Sequence, residues 1–289
     1  VKFGSFMTYA LREGADYIAT GHYAKIVDSL QFTVNSEKQK ALLKGTDKNK
    51  DQSYFLYTLN QRDLARTLFP VGDLLKSEVR KLAHKFALPV ARKSDSQGLC
   101  FVGDVTMKDF LSRYITLESG RVLDTKGSVI GTHDGAALYT IGQRHGFIVE
   151  HGAGDRAPQY VVSVDISANT IRVSPRREDA ARKEALVGST YWIAGAPAMP
   201  LQVLAQARYR EEPRGAIMTQ AGESVNPVRE LTRGMRPSAP AGKTGSAACR
   251  GAFSNGVKII FNEPQIAAPG QSLVVYEGDR CLGGGVIAQ

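Results

Sequence analysis

The sequence has 289 residues, of which 43% are hydrophobic and 22% charged, a composition that excludes a wholly disordered chain and allows two or three domains. No segment approaches the roughly 18 apolar residues of a membrane-spanning helix. Its 37 Lys and Arg residues outnumber 28 Asp and Glu residues, for a net charge of +9. This surplus indicates either a polyanionic partner, nucleic acid first among them, or a basic surface without any partner.

The cysteines are sparse and odd in number: Cys100, Cys249 and Cys281. They form no CxxC pair and no histidine stands at metal-ligand spacing, which disfavours a zinc site. A chain of this size also needs no disulfide scaffold. We therefore expect a functional cysteine to act through its reactivity.

The first part of the chain alternates helix and strand patterns. A helical spacing of apolar residues stops near Gly14, an apolar run at 17–20 predicts a short buried strand, and the periodicity of 79–86 predicts a helix that ends before Pro89. Such alternation is typical of the back half of an open α/β domain, which we place at residues 1–115.

From Gly120 the pattern changes to short alternating runs, GRVLD, SVIGTHDG and YVVSVDISANTIRVS, separated by turn residues. These predict a small strand-rich central domain at 116–185, whose charged end, RREDAARKEA at 176–185, we interpret as a link. Further short strands without intervening helices predict a β-barrel or sandwich at 186–289.

A Gly-, Pro-, Ser- and Ala-rich stretch at about 220–256 interrupts these last strands. Its composition predicts a long, disposable loop inserted in the barrel. The sequence AGKTGS within it lacks the leading glycine spacing of a phosphate-binding loop, so we do not predict a nucleotide site there.

The segment SDSQGLCFVGD places Cys100 after a polar, glycine-containing loop. Such a loop exposes a sulfur atom and offers backbone N–H groups that stabilise a thiolate. The alternative is a buried apolar cysteine without chemistry.

Four other polar segments are candidate binding sites. TGHYA, with Gly21 and His22, follows a predicted parallel strand, where open α/β sheets bind ligands, although Gly21 also suits a simple turn and His22 the surface. KDQSYFL suits contacts to phosphate or an unstacked base, or only a helix start. YTIGQRHGF and the RYR of a barrel strand are similar polar-aromatic sets.

Together, ATGHYA, KDQSYFL, SDSQGLCFVGD, LYTIGQRHGF, RYR and PGQSLVVYEGDRCLGGGVI resemble the tRNA-specific 2-thiouridylases of the MnmA/TrmU type. The resemblance implies an α/β plus β fold: the C-terminal part of an ATP-pyrophosphatase (adenine nucleotide alpha hydrolase-like) domain, a central tRNA-binding domain and a C-terminal β-barrel. It implies sulfur transfer to C2 of the wobble uridine (U34) of tRNA after adenylation with ATP, with Mg²⁺ accompanying the nucleotide.

The resemblance also assigns roles to residues of this sequence. Cys100 carries the persulfide and Gly21 contacts ATP. Contacts to tRNA come from His22, Lys50, Asp51, Gln52, Arg208, Tyr209 and Gln271. It further implies a sulfur-donor protein such as a cysteine desulfurase relay. From the residues themselves we predict no membrane partner and no metal site.

Two features of the family are missing from the sequence: the SGGxDSS pyrophosphate loop and the first catalytic cysteine, which would precede Val1. We therefore expect a truncated chain that is inactive alone. The alternative is a non-catalytic tRNA-binding protein derived from the family; another type of ATP-pyrophosphatase is disfavoured by Cys100, the barrel and the basic charge. The expected location is the cytoplasm, with an organelle left open.

Overall fold

The computed structural model describes residues 2–34, 37–92, 107–150, 157–221 and 256–288. Within these ranges the chain forms three β-sheets and four α-helices. The helices are short and belong to the first part of the chain: α1 (Met7–Arg12), α2 (Gln61–Ala65), α3 (Lys76–Lys85) and α4 (Met107–Leu111). The predicted α/β plus β fold is confirmed.

The N-terminal part contains a small parallel pair of strands. Strand β1 (Ile18–Ala19) pairs with β4 (Thr67–Leu68), and α2 lies between them in the chain. Helix α2 begins at a capping box in which Asn60 and Asp63 each accept the other's backbone N–H. The strand predicted at 17–20 is present only as Ile18–Ala19, and Ile18 is its one buried residue. The helix predicted at 79–86 is present and begins three residues earlier, at Lys76.

A long hairpin leaves this part and joins the C-terminal sheet. Strands β2 (Ala24–Val34) and β3 (Glu37–Lys44) pair antiparallel, and β3 then pairs with a C-terminal strand through Leu42 and Leu43 opposite Cys281 and Arg280. The hairpin therefore fastens the α/β part to the barrel through backbone hydrogen bonds.

The central domain is a five-stranded sheet in the order β7-β6-β5-β9-β8. Its core contains Val122, Val161, Ile171 and Val173, the inward positions of the alternating runs. Its strands are β5 (Gly120–Leu123), β6 (Val129–His133), β7 (Phe147–Val149), β8 (Tyr160–Asp165) and β9 (Thr170–Ser174). The strands predicted from alternation are confirmed here.

The last six strands close into a barrel in the order β10-β13-β12-β11-β14-β15, with β15 returning to pair with β10. They surround a core that includes Met218, Ile259 and Phe261. The strands are β10 (Arg182–Trp192), β11 (Leu201–Gln206), β12 (Arg214–Gln220), β13 (Val257–Gln265), β14 (Ser272–Glu277) and β15 (Arg280–Ile287).

The interpretation of 176–185 as a link is wrong in its second half. Strand β10 already begins at Arg182, so the limit predicted at residue 185 falls inside a barrel strand. Ala185 is buried in the barrel core, while the Glu184 carboxylate lies 2.6 Å from Lys258 Nζ on the neighbouring strand. The charged residues Arg182, Lys183 and Glu184 are all exposed at the start of the strand, and its buried positions begin at Ala185.

The segment interpreted as an inserted loop joins β12 to β13, and residues 222–255 lie outside the described residues. Its two ends are adjacent, because Gln220 pairs with Val257 and the Ala221 N–H donates to the Gly256 carbonyl at 3.0 Å. No helix in the described part of the chain is long and apolar enough to cross a membrane.

Candidate functional site

Gly21 and His22 follow the carboxyl end of β1. The Thr20 N–H donates to the Leu68 carbonyl at 3.0 Å, so the segment leaves the parallel pair directly beside β4. Gly21 is exposed, and a Cβ atom built there would meet no described atom within 4 Å. The backbone at Gly21 is therefore open to a bound group, at the sheet edge where open α/β folds bind ligands.

The His22 imidazole sits in an aromatic setting. Its ring centroid lies 5.6 Å from that of Phe3 and 5.7 Å from that of Phe69, and its Nδ1 is 2.7 Å from the Thr20 hydroxyl. Burial, assisted by the charge of Lys2, lowers the pKa of His22 to about 4. The ring is therefore neutral at pH 7, and it offers hydrogen bonds without a net charge.

The segment with Lys50, Asp51 and Gln52 is tied to this edge of the sheet. The Gln52 N–H donates to the Tyr23 carbonyl at 2.9 Å, and the Tyr23 N–H donates back to Gln52 Oε1 at 3.1 Å. Two segments that the sequence singled out separately, TGHYA and KDQSYFL, are thus joined by a reciprocal pair of hydrogen bonds. The helix expected after them is a single turn, Ser53–Phe55.

Asp51 organises its own loop. Its Oδ1 accepts the Gly45 N–H at 2.9 Å, and its Oδ2 accepts the Ser53 hydroxyl at 2.8 Å. A carboxylate with these internal partners holds the backbone beside Lys50 and Gln52 in place. This geometry gives Asp51 a structural role that sequence reasoning did not assign.

The RYR element packs onto the same segment through aromatic rings. The Tyr209 ring centroid lies 4.4 Å from that of Phe55 and 6.0 Å from that of Tyr54. Burial raises the pKa of Tyr54 to about 12, and its hydroxyl donates to the Ser272 carbonyl at 2.7 Å. The loop that carries Gln271 is thereby brought onto the same cluster of rings.

The central domain also reaches this region. A Cβ atom at Gly142 would lie 3.3 Å from Ile266 Cγ2 and 3.5 Å from Arg208 Nη1. Because Gly142 also has a positive φ of 85°, both the backbone conformation and the close contact favour glycine in the YTIGQRHGF loop. Arg208 therefore lies where the central domain meets the barrel.

Sequence reasoning missed one buried residue that connects these segments. Tyr276 is fully buried on β14; its hydroxyl donates to Gln206 Oε1 at 3.1 Å and lies 3.2 Å from Ser53 Oγ. The Gln206 side chain in turn donates to the Glu211 carbonyl at 2.8 Å. Burial raises the pKa of Tyr276 above its ordinary value, so the phenol stays protonated.

Two of the three cysteines fall outside the part of the chain that the structure describes. Cys100 and Cys249 lie outside the described residues, and so does the whole SDSQGLCFVGD segment. Cys281 is buried between β14 and β3, and burial raises the pKa of its thiol to about 12. Within the described ranges no three His, Cys, Asp or Glu side chains cluster closely enough to hold a metal ion.

The fold and site define a three-part protein: an α/β part, a small β-domain and a β-barrel that meet at one cluster of polar and aromatic residues. Family models match each part. They are described as the tRNA methyl transferase HUP domain at residues 1–104, the tRNA methyl transferase PRC-barrel domain at 108–175 and the aminomethyltransferase beta-barrel domain at 243–287.

Curated relatives match along the whole chain. The tRNA-specific 2-thiouridylase MnmA of Delftia acidovorans is 40% identical over 301 residues, which cover 100% of this chain and 71% of the relative. The protein of the same name from Verminephrobacter eiseniae is 38% identical with the same coverage, and that from Pseudomonas putida is 39% identical over 99% of this chain and 68% of its own length. The chain belongs to the MnmA family of tRNA 2-thiouridylases.

Proposed function

We propose that this protein transfers sulfur to C2 of the wobble uridine, U34, in tRNA, and so acts as a tRNA-uridine 2-sulfurtransferase. Family membership supports the reaction. The observation that carries the proposal is the reciprocal hydrogen bonding of Gln52 and Tyr23, which joins the sheet edge beside Gly21 to the segment expected to meet RNA.

The residues at the sheet edge suit a nucleotide. Gly21 presents open backbone at the carboxyl end of β1, and the neutral His22 beside it adds no charge. We assign Gly21 to ATP and His22 to the tRNA. ATP supplies the adenylyl group that makes the uridine C2 oxygen a leaving group, with Mg²⁺ offsetting the phosphate charge.

Cys100 is the proposed carrier of the sulfur: its persulfide attacks the activated C2 carbon and AMP leaves. A second thiol then attacks Cys100 Sγ and forms a disulfide with it, which leaves the outer sulfur on C2 as the 2-thiocarbonyl. A persulfide is a soft nucleophile, which suits attack on the activated carbon. A cysteine desulfurase relay is the proposed source of this sulfur, and the cytoplasm the proposed location.

The remaining residues of the site bind and orient tRNA. Lys50 and Gln52 extend from the loop that Asp51 holds, while Arg208, Tyr209 and Gln271 approach from the barrel side. Aromatic and amide side chains of this kind stack on and hydrogen-bond to unstacked bases. The α/β domain at 1–115, the central domain at 116–185 and the barrel at 186–289 would each then contact the RNA.

Affinity for tRNA tests this assignment of the barrel surface. The variant Arg208→Ala/Tyr209→Ala should bind tRNA at least tenfold more weakly than wild type in a filter-binding assay. Arg182→Ala, which removes an exposed arginine at the start of β10, is the matched control and should bind as wild type does. Equal affinity in wild type and the double variant would remove these residues from the tRNA site.

A further inference from the structure

Gln61, the first residue of α2, binds two distant parts of the chain through its side-chain amide. Its Oε1 accepts the Lys40 N–H at 2.7 Å, and its Nε2 donates to the Lys40 carbonyl at 2.9 Å and to the Ile193 carbonyl at 3.0 Å. The amide oxygen and the amide nitrogen therefore both have partners, which fixes the orientation of the amide. One side chain thus joins α2, strand β3 and the residue after β10.

The Gln61 amide takes the place of a strand where β3 loses its neighbour. Strand β15 pairs with the end of β3 and then pairs with β10. The Lys44 N–H faces β15, since it donates to the Asp279 carbonyl at 2.9 Å, and the backbone groups of Lys40, four residues earlier, face the same edge. By bonding to both the N–H and the carbonyl of Lys40, Gln61 extends the attachment of the hairpin to the barrel.

The contact between Lys40 and Gln61 also closes the stem of a loop that carries proposed site residues. The residues at 50–52, which we assign to tRNA, lie between these two positions in the chain. The bond from Gln61 to Ile193 ties the same stem to the barrel, which carries Arg208 and Tyr209. A shift of the stem on the barrel would therefore move one group of tRNA contacts relative to the other.

We propose that Gln61 is a positioning residue for the sulfur transfer: it holds the loop at 41–60 and the barrel in the relative arrangement in which both contact one tRNA. The inference rests on the proposed function, since it takes tRNA as the substrate. Gly21, which we assign to ATP, precedes the hairpin and belongs to the α/β part alone. Loss of the Gln61 bonds should then weaken the use of tRNA and leave the use of ATP unchanged.

The two Michaelis constants of the full-length protein test this role in 2-thiouridine formation. Gln61→Met keeps the length of the side chain and removes its hydrogen bonds. The KM for tRNA should rise about fivefold, the equivalent of one net hydrogen bond, while the KM for ATP and the kcat at saturating tRNA stay at their wild-type values. Gln202→Met, at an exposed position of β11, is the matched control and should change none of these constants.

A second variant tests the pattern of donors and acceptors. Gln61→Glu keeps the shape and the acceptor for the Lys40 N–H, but the ionised carboxylate cannot donate to the Lys40 and Ile193 carbonyls. Its KM for tRNA should rise at least as much as that of Gln61→Met, again with an unchanged KM for ATP. Circular dichroism at the assay temperature checks that each variant is folded.

Three outcomes would overturn the proposal. These are a wild-type KM for tRNA in both variants, even with a lower melting temperature; an equal rise in the KM values for tRNA and ATP; and loss of the fold in both variants, which would show a role in folding alone. If only one variant fails to fold, the other decides. Failure of the wild-type protein itself to form 2-thiouridine would instead overturn the proposed function.

Discussion

Removing the hydroxyl of Tyr276 should loosen the two loops that carry the proposed tRNA contacts. In Tyr276→Phe the ring still fills its buried position, but the hydrogen bond to Gln206 Oε1 and the contact with Ser53 Oγ are lost. One hydrogen bond contributes about 1 kcal/mol net, and the buried Gln206 oxygen left without a donor adds about 1 kcal/mol more. We therefore expect the free energy of unfolding to fall by about 2 kcal/mol.

This loss is large enough to measure by urea denaturation and corresponds to a fall of about 5 °C in melting temperature. Affinity for tRNA should fall about three- to tenfold, because Ser53 and Gln206 hold the loops of Gln52 and Arg208. Tyr160→Phe, on β8 in the central sheet, is the matched control and should change neither quantity.

A double-mutant cycle with Ser53→Ala checks the connection itself. Since Ser53 and Tyr276 lie in one network, their effects on the free energy of unfolding should differ from additivity by at least about 0.5 kcal/mol. Additive effects, or a Tyr276→Phe variant as stable as wild type, would refute the reasoning. A destabilised variant with unchanged tRNA affinity would show that the network supports folding but not tRNA binding.

Three further predictions concern separate parts of the chain. An NMR titration should give His22 a pKa of about 4. Because this histidine takes up its proton near pH 6.5 in the unfolded chain, the free energy of unfolding should fall as the pH drops from 6.5 towards 4. The fall should be smaller in His22→Gln. A midpoint near 6.5 would contradict the burial of the ring. Cys281 should resist alkylation at pH 7.5 in the folded protein and react after unfolding, since burial raises its pKa to about 12; labelling of Cys281 without unfolding would contradict this. Replacement of 222–255 by a short Gly-Ser turn should leave the melting temperature and tRNA affinity nearly unchanged, because Gln220 and Val257 are already paired; unfolding of the barrel would show that the segment is essential.

Much of the β-structure could be predicted because it is locally encoded. In 160–174 the alternating side chains and the turn at Asn169, whose φ is +48°, specify two antiparallel strands without help from distant residues. The pairing of the β2–β3 hairpin with the barrel was not predicted, because the partner of β3, strand β15, lies more than two hundred residues further along the chain.

In the site, too, the segments could be predicted from the sequence but the long-range contacts between them could not. Polar segments such as KDQSYFL stand out in the sequence, but the hydrogen bonds that join Gln52 to Tyr23 depend on how β2 and β3 leave the sheet. Tyr276 was hidden within the apolar run SLVVYEG, where it resembles any core residue. The signal that could have identified it is chemical: a buried tyrosine hydroxyl needs a hydrogen-bond partner.

The most direct test of the proposed reaction is the content of 2-thiouridine at position 34 of tRNA, measured by mass spectrometry after incubation of the full-length protein with ATP, tRNA and a sulfur source. Wild-type protein should form 2-thiouridine, and Cys100→Ser should form none while binding tRNA with wild-type affinity. Formation of 2-thiouridine by Cys100→Ser at the wild-type rate would contradict the assignment of Cys100 as the sulfur carrier.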